Sequence, residues 1–188
     1  MRRSELSVVL VTLGLTVLVA GHAPIWAGSI PSVPENLRTP ATEVLSLETE
    51  ATGVQIYECN ASKEESTRFE WIFKAPEADL FDTAGNKIGK HYAGPTWESN
   101  DGSKVVGEVK ARDDGPDPNA IPWLLLSAKS TSGTGVFGQI KSIQRLNTVG
   151  GKAPTEVCSQ AQSGKVTRVG YKASYYFYVA KPWAGKGG

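Results

Sequence analysis

Across 188 residues the chain carries 20 Lys and Arg against 19 Asp and Glu, with 2 His and 2 Cys. Balanced charge offers no basic surface for nucleic acid or an anionic membrane, and so few His and Cys exclude the usual zinc and copper centres. The length suits one domain with a substantial core.

Arg2 and Arg3 precede the apolar run 6–20, and a short segment then ends at Ala27. That is the charged start, apolar middle and small-residue exit of a secretory signal, so residues 1–27 are expected to be a signal peptide cleaved after Ala27. The alternatives are cleavage after Ala23 or an uncleaved anchor, but the run of 15 residues is shorter than the roughly 20 that a spanning helix needs. Removing 27 of 188 residues leaves 161, and losing Arg2, Arg3 and Glu5 leaves 18 cationic and 18 acidic residues. The expected location is extracellular or periplasmic, with no membrane contact after cleavage. Cys59 and Cys158 both survive, and an even pair in an exported chain is expected to form a disulfide; two reduced, buried thiols are the alternative.

Residues 28–42 hold Pro31, Pro34 and Pro40 and read as an extended N-terminal segment. From 43 to 181 short apolar stretches alternate with Gly, Pro, Asn and Asp, which predicts a single β domain. Residues 68–74 place Phe69, Trp71 and Phe73 on one face. Residues 104–112 place Val105, Val109 and Ala111 toward the core beside Gly107. Residues 123–128 are apolar on both faces, as in a covered strand, and Pro122 stops that strand extending backwards. Residues 171–179 give the clearest alternation: Tyr171, Ala173, Tyr175, Phe177 and Val179 on one face, Lys172, Ser174, Tyr176 and Tyr178 on the other, a half-buried strand. Turns are expected at 84–86 and 100–102, and loops at 113–119 and 149–154. Two stretches are ambiguous. Ile140, Ile143 and Leu146 recur at a spacing that a helical turn also explains, and 155–162 suits a short helix capped by Thr155 and ended by Gly164. The Gly-rich end, 182–188, is expected to be a flexible tail. The fold class is therefore all-β: an antiparallel sandwich or barrel of roughly eight to ten short strands, with one disulfide and at most one or two short helices.

After signal removal one histidine remains, His91, so neither a multi-His metal site nor a copper–thiolate site can be built, and no cofactor is expected. Asp113, Asp114, Asp117 and Asn119 cluster oxygens within one loop, but their spacing departs from a calcium-loop pattern; a solvated acidic turn is the expectation. No Gly-x-Ser-x-Gly elbow or phosphate-cradling glycine loop is present. The most distinctive stretch is 91–107. It sets the rings of His91, Tyr92 and Trp97 beside Glu98, Asn100 and Asp101, the groups with which a β protein holds a glycan or small polar ligand. A core role for Trp97 and a packing role for His91 are the competing explanation.

Several motifs carry a family resemblance: Gly-Val-Gln-Ile-Tyr-Glu-Cys at 53–59, Trp-x-Phe-x-Ala-Pro-Glu-Ala at 71–78, Gly-x-His-Tyr-Ala-Gly-Pro-Thr-Trp at 89–97, Ile-Pro-Trp-Leu-Leu-Leu at 121–126, Ile-Gln-Arg-Leu-Asn-Thr-x-Gly-Gly at 143–151, and Tyr-x-Ala-x-Tyr-x-Phe at 171–177. Over about 34–181 the chain resembles a family of small secreted bacterial and fungal proteins known only as a domain of unknown function. The resemblance brings no established activity. Some fungal members carry the name malate dehydrogenase, which does not suit a chain lacking a dinucleotide fingerprint and a parallel α/β pattern. The leading expectation is a secreted, non-catalytic binding or structural module, with contacts from His91, Tyr92, Trp97, Glu98 and Asp101 and with Trp123 and Arg145 nearby. The rival is a hydrolase of a polysaccharide or cell-wall polymer using Glu98 and Asp101, which requires one carboxyl with a raised pKa. A third is a surface matrix or stress protein with no small ligand. Oligomeric state is not legible.

Overall fold

The computed structural model describes residues 32–182. The expected signal peptide, residues 28–31 of the extended segment and residues 183–188 of the expected tail lie outside the described residues. Eight antiparallel strands run in chain order around a closed barrel: β1 (Glu43–Ala61), β2 (Phe69–Phe81), β3 (Lys87–Tyr92), β4 (Thr96–Ser99), β5 (Lys104–Asp113), β6 (Trp123–Ser132), β7 (Ile140–Gly150) and β8 (Val166–Ala180). Each strand pairs with its neighbour in sequence, and β1 pairs with β8 to remove the sheet edges that would otherwise expose unpaired backbone. The all-β expectation holds, and the choice between sandwich and barrel falls to the barrel.

Not all strands are short. β1 has 19 residues, β8 has 15 and β2 has 13. Register shifts let these long strands bend around the barrel. They fall in the β1–β2 ladder between Ile56 and Tyr57, and in the β1–β8 ladder between Leu45 and Leu47.

The interior is filled by the residues that alternation predicts in β8. Tyr171, Ala173, Tyr175 and Phe177 join Leu80, Trp97, Val105, Leu126, Ile140 and Ile143 in one cluster. The opposite face of β8 is less exposed than a half-buried strand implies. Tyr176 and Tyr178 pack with Leu37 and Leu146 under the N-terminal segment, where a 3₁₀ turn spans Glu35–Leu37. Gln144 holds that strap: its amide nitrogen donates to the Leu37 carbonyl at 2.6 Å, and it accepts from the Tyr178 hydroxyl at 2.7 Å. Trp123 and Leu125 point outward beneath the same strap, while Leu124 and Leu126 point inward. Residues 123–128 are thus covered on both sides, as their composition suggests.

Three local expectations change. A bulge between Val109 and Ala111 turns Ala111 to the outer cluster and leaves Val109 half-exposed. The three-residue spacing of Ile140, Ile143 and Leu146 is not helical: a register shift at Ile140/Ser142 puts Ile140 and Ile143 on the inner face, plain alternation puts Leu146 on the outer one, and a second shift follows at Leu146/Val149. Asn147 takes a positive φ of 50° at the second shift. The stretch 155–162 is mostly irregular; its only helical part is a 3₁₀ turn at Gln160–Gln162, and Thr155 caps nothing there.

Cys59 and Cys158 form the expected disulfide, 99 residues apart in sequence. It ties the far end of β1 to the irregular segment before β8. Outward-facing charges pair across strands, as in Lys74–Glu58, Lys87–Asp79 and Arg168–Glu77. Apolar inside and charged outside is the reverse of a lipid-facing barrel. Among the described residues no helix is long and apolar enough to cross a membrane.

Candidate functional site: the mouth of the barrel

The two ends of the barrel differ. At the base, Phe137 from the loop between β6 and β7 is fully buried against Phe177, ring centroids 4.7 Å apart. Asp101 seats that loop. One carboxylate oxygen accepts from the Ser103 backbone N–H at 2.8 Å and from the Ser103 hydroxyl at 2.6 Å. The other accepts from the Val136 N–H at 2.9 Å, and Ser103 Oγ in turn accepts from the Phe137 N–H at 3.0 Å. The loop wraps closely because Gly135 leaves room for the carboxylate; a Cβ there would collide with it. These bonds hold the Asp101 carboxyl down to a pKa of about 2.

The other end is open. A cavity of about 330 Å³ lies at the mouth, within the range of roughly 300–1,000 Å³ typical of small-molecule sites. Every strand supplies part of its wall: Gln55, Phe73, His91, Trp97, Val109, Leu124, Arg145 and Tyr175 come from β1 to β8 in order. Trp97 forms the floor and is only 1% exposed. Its indole stacks on His91, centroids 4.3 Å apart, and meets Tyr175 edge-on at 5.3 Å. Gly107 makes this packing possible, since a Cβ there would stand 2.9 Å from the Trp97 ring.

His91 Nδ1 lies 2.9 Å from the Thr96 carbonyl oxygen. A carbonyl only accepts, so Nδ1 carries the hydrogen and Nε2 is left as an acceptor. Burial, opposed only partly by that bond and reinforced by the Arg145 charge, lowers the His91 pKa to about 3. The ring is neutral throughout the ordinary pH range. Arg145 is held by the Pro122 carbonyl, to which Nε donates at 3.1 Å and Nη2 at 2.8 Å. Among the described residues Arg145 forms no ion pair. Among the described residues Gln55 Nε2, Trp97 Nε1 and the Tyr175 hydroxyl are buried without a hydrogen-bond partner, as is the hydroxyl of neighbouring Tyr171. Tyr171, Tyr175 and Arg145 are near enough to influence one another's charge, and burial raises the pKa of both phenols, but neither hydroxyl makes a well-formed bond.

Of the residues singled out in the sequence, the mouth brings together His91, Trp97 and Arg145. The other four lie elsewhere. Tyr92 and Glu98 occupy the outer face, where the Tyr92 hydroxyl donates to Glu98 at 2.7 Å and Lys104 and Lys90 approach the same carboxylate at 3.2 and 3.7 Å. Those partners lower the Glu98 pKa, the Tyr92 hydrogen bond most of all. Asp101 belongs to the base, and Trp123 packs under the N-terminal strap. Both carboxyls named for hydrolysis are therefore held below their ordinary range, whereas a general acid needs the opposite. Asp113, Asp114 and Asp117 are engaged in local turn bonds and an ion pair with Arg112. Among the described residues no three His, Cys, Asp or Glu are grouped as metal ligands.

Gln55, Tyr175, Leu124 and Val109 went unrecognised in the sequence because they are ordinary strand residues; closure alone brings them together. One signal was available at His91–Tyr92 and Trp97–Glu98. Neighbours along a strand point to opposite faces, so only one of each pair can line a cavity.

One family of known sequences, described as Protein of unknown function (DUF3455), matches residues 40–179. This chain belongs to that family. The matched span coincides with the DUF3455 barrel, from the start of β1 almost to the end of β8. No curated protein and no solved structure matches the chain. Membership of DUF3455 therefore identifies the fold unit and assigns it no activity.

Proposed function

We propose that this DUF3455 protein is a non-catalytic binding module that takes a small ligand into the mouth of its barrel. The observation that carries this is the asymmetry of the two ends: Phe137 fills the base, while all eight strands surround a cavity at the mouth. Interiors of small barrels normally pack to closure, so retained space beside unpartnered polar groups favours occupancy by a ligand. A small molecule suits the geometry better than a polymer, because Trp97 lies at the floor and offers no exposed platform for a chain of sugars. Nuclear magnetic resonance screening of a small-molecule library tests this. Binding should perturb amides near Gln55, His91 and Tyr175, and Val109→Trp, which fills the mouth, should abolish it. Hits whose shifts map only to the outer surface would remove the mouth as the site.

We also propose that the protein acts outside the cytoplasm. The disulfide is compatible with an oxidising compartment, and the first 27 residues have the layout of a secretory signal. N-terminal sequencing of the protein from its native host should begin at Gly28; a chain retaining Met1 in the cytoplasm would reject export.

A further inference from the structure

Building on the mouth as the binding site, we infer that its ligand is a small organic anion, a carboxylate on a flat apolar body, with Arg145 as the anchor of the charge. Four observations converge. First, the guanidinium is held at one edge by a neutral carbonyl and, among the described residues, has no carboxylate partner. Half-buried cations are ordinarily paired, because a desolvated charge without a counter-charge is costly. Second, the residues lining the cavity include Arg145 and Lys74 but no Asp or Glu, and Lys74 already pairs with Glu58 at 2.9 Å. Arg145 thus holds the uncompensated charge of the site.

Third, the unpartnered polar groups around it are donors. Gln55 Nε2 and Trp97 Nε1 can only donate, and the Tyr175 hydroxyl can donate. The side-chain acceptors His91 Nε2 and Gln55 Oε1 are outnumbered once the Arg145 guanidinium is added to these donors, so the lining is matched by a ligand rich in acceptors. Guanidinium and carboxylate also fit each other's planar geometry. Fourth, the rest of the wall is apolar or aromatic, with Phe73, Leu124 and Val109 placed to cover a flat hydrocarbon body. His91 does not compete for the anion, because it stays neutral.

The test compares three isosteres on the full-length folded protein by isothermal titration calorimetry: 2-naphthoate, 2-naphthamide and 2-naphthylmethylammonium. 2-Naphthoate should bind about tenfold or more tightly than the amide, the increment of a charge-assisted bond over a neutral one, and the ammonium should bind weakest. The preference should shrink as ionic strength rises. In Arg145→Gln the naphthoate preference should vanish while amide binding persists, and Arg145→Lys should keep part of it. Because losing the Pro122 contact can also loosen the fold, the wild-type comparison is decisive by itself. Equal binding of naphthoate and amide at the mouth would overturn the anion assignment and leave the mouth as a site. No binding of any of the three at millimolar concentration would overturn both.

Discussion

The rings of His91 and Trp97 lie face to face at the centre of the barrel, 4.3 Å apart and 15° from parallel. A protonated imidazole cannot be solvated there, and the nearby Arg145 charge opposes it further. The group binds its proton at a pH near 3 when folded and near 6.5 when unfolded. Between those values the unfolded chain holds more protons, so stability falls as pH falls. The slope from this residue is half its limit at pH 6.5 and approaches the full value of about 1.4 kcal/mol per pH unit one unit lower. The buttressed carboxylates Glu58, Asp82, Glu98, Asp101 and Glu108, whose folded pKa values are lowered, begin to lose their contribution about one pH unit above their unfolded values near 4.5 and 3.8. Urea unfolding between pH 6.5 and 5.5 therefore isolates His91. His91→Gln should remove most of the slope in that window, and an unchanged slope would refute the assignment.

Asp101 anchors two loops with three accepted hydrogen bonds. Asp101→Ala should destabilise the barrel by about 1–2 kcal/mol. It should also speed amide exchange at Val136 and Phe137 more than at the mouth. Uniform exchange across the barrel would mean that the carboxylate does not seat the base.

Gly107 lies under the Trp97 ring and beside Leu126. Gly107→Ala inserts a methyl into occupied space and should cost about 1–3 kcal/mol. Trp97→Phe should relieve part of that cost, so the double variant should be more stable than the sum of the two single effects. Strict additivity in chemical denaturation would show that the two sites are not in contact.

The Cys59–Cys158 bond closes a long loop. Reduction should lower stability by up to about 4–5 kcal/mol, chiefly by freeing the unfolded chain. The segment 152–165 should become the first site of proteolysis, since beyond the bond its side-chain anchors to β1 and β2 are few, such as Trp71 Nε1 donating to the Glu156 carbonyl at 2.9 Å. An unchanged denaturation midpoint under reductant would show that the strands hold that segment unaided.

Much of the fold was legible because its causes are local. Residues 171–179 alternate strictly, and the structure places Tyr171, Ala173, Tyr175 and Phe177 inside as that pattern requires. Where a bulge intervenes, the pattern misleads. Ala111 left its expected face, and Ile140 and Ile143 share the inner one, because one extra backbone residue at Val109/Ala111 and at Ile140/Ser142 reverses the faces beyond it. Nothing in the side chains marked those positions.

The site divides in the same way. Balanced charge, a pair of cysteines and a single histidine beyond residue 27 were properties of composition, and they argued against whole classes of chemistry without any coordinates. The strand period was a property of neighbouring residues, and it made the all-β class visible. Convergence was neither. Gln55, His91, Trp97, Arg145 and Tyr175 come from five strands spread over 121 positions, from 55 to 175, and they face one space only because β1 pairs with β8. Closure set which of the conspicuous aromatics became floor and which became outer surface, and it left Arg145 at the mouth with no carboxylate partner among the described residues. Long-range pairing is a cooperative outcome of the whole chain, so the cup and its charge belong to the tertiary structure alone.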